Sequence, residues 1–400
     1  MSNFRLILMF AVLLACMYVG KGQVTRLLED PSIWPPDDYV EYWAAGRLNL
    51  EGKDPYLPEN LLPLERQAGR ELDKEVMMWN PPWTLTLVMP LGAMPAREGQ
   101  LVWLMVGLAA LAFSAYLLWE TYIGLGSKRW AAFALTFTFM PTIFVLQSGQ
   151  ISALLLLGAA LFVWSMKNSY EYLAGAAACL MAIKPHLVYL LWLALLFDAV
   201  WNRRWRIIVG GISCGVVMSI IPTLMNPHVW EQYFAAYRDH PPAEHVSLTL
   251  GAMLRKCFGE EKFWLQFVSL PIGVAWFVWY WLRNRNDWNW VERTPWIVLV
   301  SFVTTMYGAW HFDLVLLLMP ILHRAAKLSI RPLTARGRLG LAVLLLTNAV
   351  MLTLAIANVW SFYYAWVAPL ILVLYIVTVP RGVAYTKFDA EPVQPQLVPA

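Results

Sequence analysis

Apolar stretches recur along almost the whole chain, and the short polar breaks between them carry most of the Lys and Arg. A membrane-crossing helix needs about 20 mostly apolar residues. Stretches near that length lie at about Leu6–Gly20, Leu101–Ile123, Trp130–Leu146, Ile151–Met166, Ile207–Met225, Phe263–Leu282, Gly340–Ala357 and Phe362–Val379. Shorter ones lie at about Trp296–Tyr307 and Leu314–Leu322. Two segments break the pattern. "VMMWNPPWTLTLVMPLGAMP" (Val76–Pro95) is apolar but punctured by prolines, and Tyr172–Trp201 is split by "IKPHL" at Ile183–Leu187. The latter has roughly thirty residues, too many for one ordinary crossing and few for two. The pattern predicts an all-α polytopic membrane protein with about 11–13 transmembrane helices. One domain is expected over 1–380, with a long first external loop at about 21–76 and a polar, Pro-rich tail at 381–400 that reads as disordered.

Composition sharpens this. Charged residues make up 14% of the chain and hydrophobic residues 59%, where a soluble domain carries about 25% charged residues. The net charge of +4 is spread over short clusters rather than one basic face, so membrane lipids are the expected partners and nucleic acid is not. Cys16, Cys179 and Cys214 sit in apolar runs, and no pair including Cys257 has metal-ligand spacing. The cysteines read as apolar fillers without a disulfide framework. "LLAC" at Leu13–Cys16 and the leading "MSNFR" admit a lipoprotein or secretory leader. The similar spans downstream favour an uncleaved first helix.

The basic clusters "NRRWR" (Asn202–Arg206), "LRNRN" (Leu282–Asn286) and "HRAAKLSIRPLTARGR" (His323–Arg338) place those loops in the cytoplasm. If "IKPHL" is an external turn between two short helices, Lys128, Arg129 and Lys167 are inside and Arg97 outside; a single crossing reverses them. The first option fits the charge rule better, with Val76–Pro95 dipping in from outside. Both options leave the Pro35–Tyr56 segment outside and both termini inside, as expected for a bacterial-type inner (cytoplasmic) membrane protein.

Several polar groups stand out against this background. Asp37 and Asp38 precede "YVEYWAAGRLNL". A carboxylate at the outer interface can serve as a general base, which needs a positioned hydroxyl rather than a metal. It can equally cap the helix starting near Tyr39, and one of the pair can do each. Lys184-Pro185-His186 places a cation at membrane depth beside a proline break. If a half-helix begins there, its positive end and Lys184 form an anion site suited to a lipid phosphate; the alternative is a lysine snorkelling to the interface. Gln150, in "QSGQ", can bind sugar hydroxyls or close a tight turn. Arg255 and Lys256 can pair with phosphate or anchor the loop at the interface. His240 and His245, with Asp239 and Glu244, are separated by Pro241 and Pro242 and match no metal motif, so no metal is expected. His311 and Asp313, in "GAWHFD", read as a polar lining or an interfacial pair.

In their order these pieces resemble the GT-C glycosyltransferases of family 87, the polyprenyl-phosphate-mannose-dependent α-mannosyltransferase group. The matching stretches are "DYVEYWAAGRLNLEGKDPY", "WNPPWTLTLVMPLGAMP", "LQSGQISALLLLGAALFVW", "YLAGAAACLMAIKPHLVYLLWLALL" with "NRRWR", "VSLTLGAMLRKCFG" and "YGAWHFDLVLLLMP". The resemblance implies a GT-C-like helical bundle. It implies Asp38 as catalytic base, with Asp37 the alternate, and a substrate site drawn from Tyr42, Tyr56, Asn80, Gln150, Lys184, His186, Arg255, His311 and Asp313. Asn80 stands where the family usually has Tyr before Pro-Pro, so its role is open. The implied reaction moves a sugar, mannose in the first instance, from a polyprenyl-phosphate donor to a lipid or glycan acceptor at the external face, with inversion and no cofactor. A transporter or flippase predicts internal pseudo-symmetry that the chain lacks. A non-catalytic scaffold tolerates loss of Asp38 and Lys184 together. A glycan polymerase or ligase would carry a larger late external loop than Asn226–Lys262.

Overall fold

Every regular element among the described residues is helical. The computed structural model describes residues 32–240, 247–330 and 332–378, with Gly20, Gly22, Thr25, Arg26 and Asp30. The expected first span apart from Gly20, the Glu244 and His245 positions, and the tail lie outside them.

The polar stretch after the first apolar run folds as two short helices, α1 (Tyr39–Leu50) and α2 (Pro58–Gln67). Helix α1 is buried on nearly all sides. It docks on α3 (Leu85–Gly92) through two glycines: a Cβ on Gly46 would stand 2.6 Å from the Val88 carbonyl oxygen, and one on Gly92 would strike the Arg47 backbone. Trp43 Nε1 donates to the Met94 carbonyl at 2.9 Å, fixing the same junction. The segment from Val76 to Pro95 is thus extended, then turned at Pro82–Thr84, then helical.

Helix α4 (Ala96–Thr121) is a continuous span. The stretch expected as one helix at Trp130–Leu146 is two, α5 (Arg129–Thr138) and α6 (Met140–Ser148), bent by 58°. Pro141 has no N–H to offer and its ring crowds the carbonyl one turn back, so the helix cannot run through. Helix α7 (Ser152–Lys167) then packs against α4 and α8 (Glu171–Met181). The expected split at "IKPHL" is present: α8 ends at Met181, a single turn covers Pro185–Val188, and α9 (Tyr189–Trp201) follows. Helix α10 (Trp205–Met225) lies along α8.

The remaining helices are α11 (Val229–Asp239), α12 (Leu250–Phe258), α13 (Ser269–Asn284), α14 (Trp290–Thr304), α15 (Leu318–Ser329), α16 (Ala335–Ile356) and α17 (Val367–Val377). Between α14 and α15 the chain is unwound from Thr305 to Trp310 and makes a tight turn over Asp313–Leu317. Four helices among the described residues are long and apolar enough to cross a membrane, or five if the bent pair counts as one span. Shorter apolar helices lie at Ser152–Lys167, Glu171–Met181, Pro185–Trp201 and Ser361–Val377. The fold is an all-helical polytopic membrane protein.

Candidate functional site

Side chains from four separate stretches converge at the breaks. Asp38 occupies the N-cap position of α1, but its carboxylate makes no cap hydrogen bond. The capping alternative therefore does not hold for it: Asp38 Oδ2 accepts from Gln150 Nε2 at 2.9 Å. Asp37 is exposed, with φ at +43°, in the left-handed region that L-residues adopt at a cost. Of the two acids, Asp38 is the one in the cluster.

Gln150 is carried there by its neighbour. Gly149 ends α6 with φ at +70°, and a Cβ on it would lie 2.7 Å from Cβ of Tyr39. Trp103 Nε1 holds the Gly149 carbonyl at 2.6 Å. A residue with a side chain would push Gln150 away from α1. Gln150 Oε1 accepts from the Tyr42 hydroxyl at 2.8 Å and from Lys184 Nζ at 3.4 Å. Its Nε2 donates to Asp38 and lies 3.5 Å from Glu41 Oε1. Both ends of the amide are thus engaged by protein groups, which fixes its orientation.

Lys184 sits in the gap between α8 and α9 and is nearly buried. Its ammonium pairs with Asp313 Oδ1 at 2.8 Å and lies 4.7 Å from the centre of the Phe312 ring. Asp313 is fully buried; it also accepts from the Ser152 hydroxyl and, at 3.0 Å, from the Trp310 backbone N–H. One chain of contacts therefore runs Asp38–Gln150–Lys184–Asp313.

Three predicted residues support this chain from behind. His186 Nε2 meets the Gly308 carbonyl at 3.2 Å, its own carbonyl accepts from Thr305 Oγ1 at 2.9 Å, and its ring stacks on Tyr307. It ties the break before α9 to the break after α14. Asn80 Nδ2 donates to the carbonyl of Ile183, next to Lys184, at 3.3 Å, and the Tyr56 hydroxyl donates to the Asn80 carbonyl at 3.3 Å. Two predicted residues stand apart. His311 meets the Ser361 hydroxyl at 3.0 Å and stacks on Tyr364. Arg255 donates twice to the Glu260 carbonyl and once to Gln266 Oε1, with its guanidinium over Phe263.

Glu41 and Ser152 were not singled out by sequence reasoning. The signal for Glu41 was present: Asp38, Glu41 and Tyr42 stand at i, i+3 and i+4, one helical face. Nothing local marks Ser152 among the apolar residues of α7. Electrostatically, burial raises the Asp38 carboxyl above its usual range, while the Gln150 bond and the Lys184 charge pull it back. Burial also lifts Glu41, to about 8, with the charge of Asp38 adding to the shift. A carboxylate and an ammonium linked through one amide can take a proton on one side and stabilise an anion on the other.

No curated protein and no solved structure matches the chain. A family model for glycosyltransferase family 87 matches residues 79–305, more than half of the 400 residues, including Asn80, Gln150 and Lys184. With the all-helical membrane fold, that match makes the chain a member of glycosyltransferase family 87, a membrane enzyme that transfers hexosyl groups.

Proposed function

We propose that the enzyme transfers mannose from a polyprenyl-phosphate donor to a lipid or glycan acceptor, with inversion, at the external face of the cytoplasmic membrane. The observation that carries this reading is the Gln150 amide, which joins Asp38 to Lys184 across 146 positions of sequence by hydrogen bonds of 2.9 and 3.4 Å. Asp38 removes the proton of the acceptor hydroxyl as its oxygen attacks the anomeric carbon. The bond from that carbon to the phosphate oxygen breaks on the opposite face, and the departing polyprenyl phosphate is met by Lys184. An ammonium has three donors; Asp313 and Gln150 take two, which leaves one for a phosphate oxygen. Asp313 holds Lys184 in place, and Asn80 and His186 hold the backbone that carries it.

In this reading Gln150 aligns the base and the cation rather than grasping sugar hydroxyls. Arg255, Tyr56 and His311 contribute to substrate binding from outside the central contacts. No cofactor is required. The basic loops Asn202–Arg206 and Leu282–Asn286 face the cytoplasm, with both termini. The test is incubation of purified protein with labelled polyprenyl-phosphate-mannose and candidate glycolipids. Mannosyl transfer that Asp38→Asn abolishes is expected. Equal transfer by Asp38→Asn and the unaltered enzyme sinks the assignment of the base, and transfer only from a nucleotide-sugar sinks the donor.

A further inference from the structure

The central contacts hold more acid than cation. Asp38 and Glu41 lie 2.9 and 3.5 Å from the Gln150 amide nitrogen, the amide oxygen meets a single lysine, and Asp313 takes that lysine's ammonium at 2.8 Å. Glu41 is 6% exposed and forms no ion pair among the described residues. Glu65, on α2, also faces Glu41 and is itself paired with Arg70 at 3.0 Å. The groups facing Glu41 are therefore Asp38 and Tyr42 on its own helix, the Glu65–Arg70 pair, and Lys184 already bound to Asp313. A buried carboxylate without a cation is expensive, and such a group takes up a proton instead.

We propose that Glu41 is a neutral carboxylic acid in the working enzyme and acts as a positioning residue. It flanks the Gln150 amide beside Asp38 without adding a further negative charge to a site that must admit a phosphate. This inference rests on the phosphate-donor reading above. With Asp38 and Asp313 ionised against Lys184, the site already carries one excess negative charge. Ionising Glu41 doubles that excess in front of an anionic donor and sets two carboxylates against one amide N–H₂. The geometry thus builds an alkaline limit into donor binding, independent of the base itself. The direction of the Glu41 shift agrees, since burial and Asp38 both favour the protonated form.

Two measurements decide this. Infrared difference spectroscopy of the donor-free full chain, titrated from pH 6 to 10, should show a protonated-carboxyl band that is lost near pH 8 and is missing in Glu41→Gln. Binding of polyprenyl-phosphate-mannose, whose phosphodiester keeps one charge over that range, should weaken by about tenfold per unit above the transition. Glu41→Gln should bind as tightly as the unaltered protein at pH 6 and stay flat to pH 9. Glu41→Ala should bind more weakly at every pH, with the neutral amide variant as its rescue. No carboxyl band assignable to Glu41, or the same alkaline loss in Glu41→Gln, overturns the proposal. A Glu41 band with no donor binding at any pH overturns its link to phosphate and points instead to failure of the donor assignment.

Discussion

Two of the polar clusters among the described residues are composed differently. One joins Glu292, His323, Lys327 and Tyr375 across α14, α15 and α17. Glu292 accepts from Lys327 at 2.6 Å and meets His323 Nε2 at 3.2 Å, while the Tyr375 hydroxyl meets His323 Nδ1 at 2.6 Å. Its one acid is answered by two basic side chains on the next helix. The other is the Asp38–Gln150–Lys184–Asp313 chain, where three carboxyls including Glu41 share one ammonium. The first has the composition of a brace between helices. The second is left electrostatically unbalanced, at a cost that a brace would have no reason to carry. Perturbed groups gather where chemistry is done, and the imbalance is what separates the two regions.

That comparison can be broken by substitution. Asp38→Asn should lower the transfer rate by about 10²–10⁴-fold, the usual worth of a positioned base. Insertion and thermal stability should be unchanged, because Asn keeps the shape and sheds a buried charge. Single-turnover kinetics alongside a melting curve checks both. Lys184→Ala should cost about 10²–10³-fold, as for loss of one transition-state donor. It also leaves Asp313 buried without its cation, so Lys184→Arg should recover part of the rate, and donor titrations separate the two effects.

In the other cluster, Glu292→Gln should cost about 1.5–3 kcal/mol of stability, the range for hydrogen bonds to charged groups. It should leave the rate per folded molecule intact. A rate loss in Glu292→Gln that matches Asp38→Asn would erase the distinction. Tyr42→Phe is the mildest case. It removes one buried bond to Gln150, worth about 1 kcal/mol of stability, and should slow transfer by less than about tenfold with a small drop in melting temperature.

The ingredients of the site were visible in the sequence, and their wiring was not. Lys184 stands out because an ionisable group inside an apolar segment is rare, and Asp38 and Gln150 because they fall in the ordered motifs of the family resemblance. That Asp38 turns away from the cap depends on Gly149 taking a left-handed conformation, and no periodicity encodes that. Asp313 read as a lining residue because its partner lies 129 positions away. Ser152 was invisible, since a hydroxyl in an apolar helix usually bonds its own backbone. The main apolar helices were legible from hydropathy, and the split at Ile183–Leu187 from the proline beside a charged residue in an overlong apolar segment. The bend at Phe139 was not anticipated, because the apolar run continues through Pro141.

The chain is unwound on both sides of the Lys184–Asp313 pair, at Ala182–Lys184 and at Thr305–Trp310. Peptide groups without helical partners are not tolerated against lipid tails, so both stretches must be shielded by protein or reached by water. If water reaches them, it becomes a rival nucleophile for the anomeric carbon in the transfer proposed above. An enzyme of that design must then either hold its acceptor in place before the donor bond is strained, or lose activated sugar to hydrolysis. Release of free sugar in the absence of acceptor would measure how well it solves that problem.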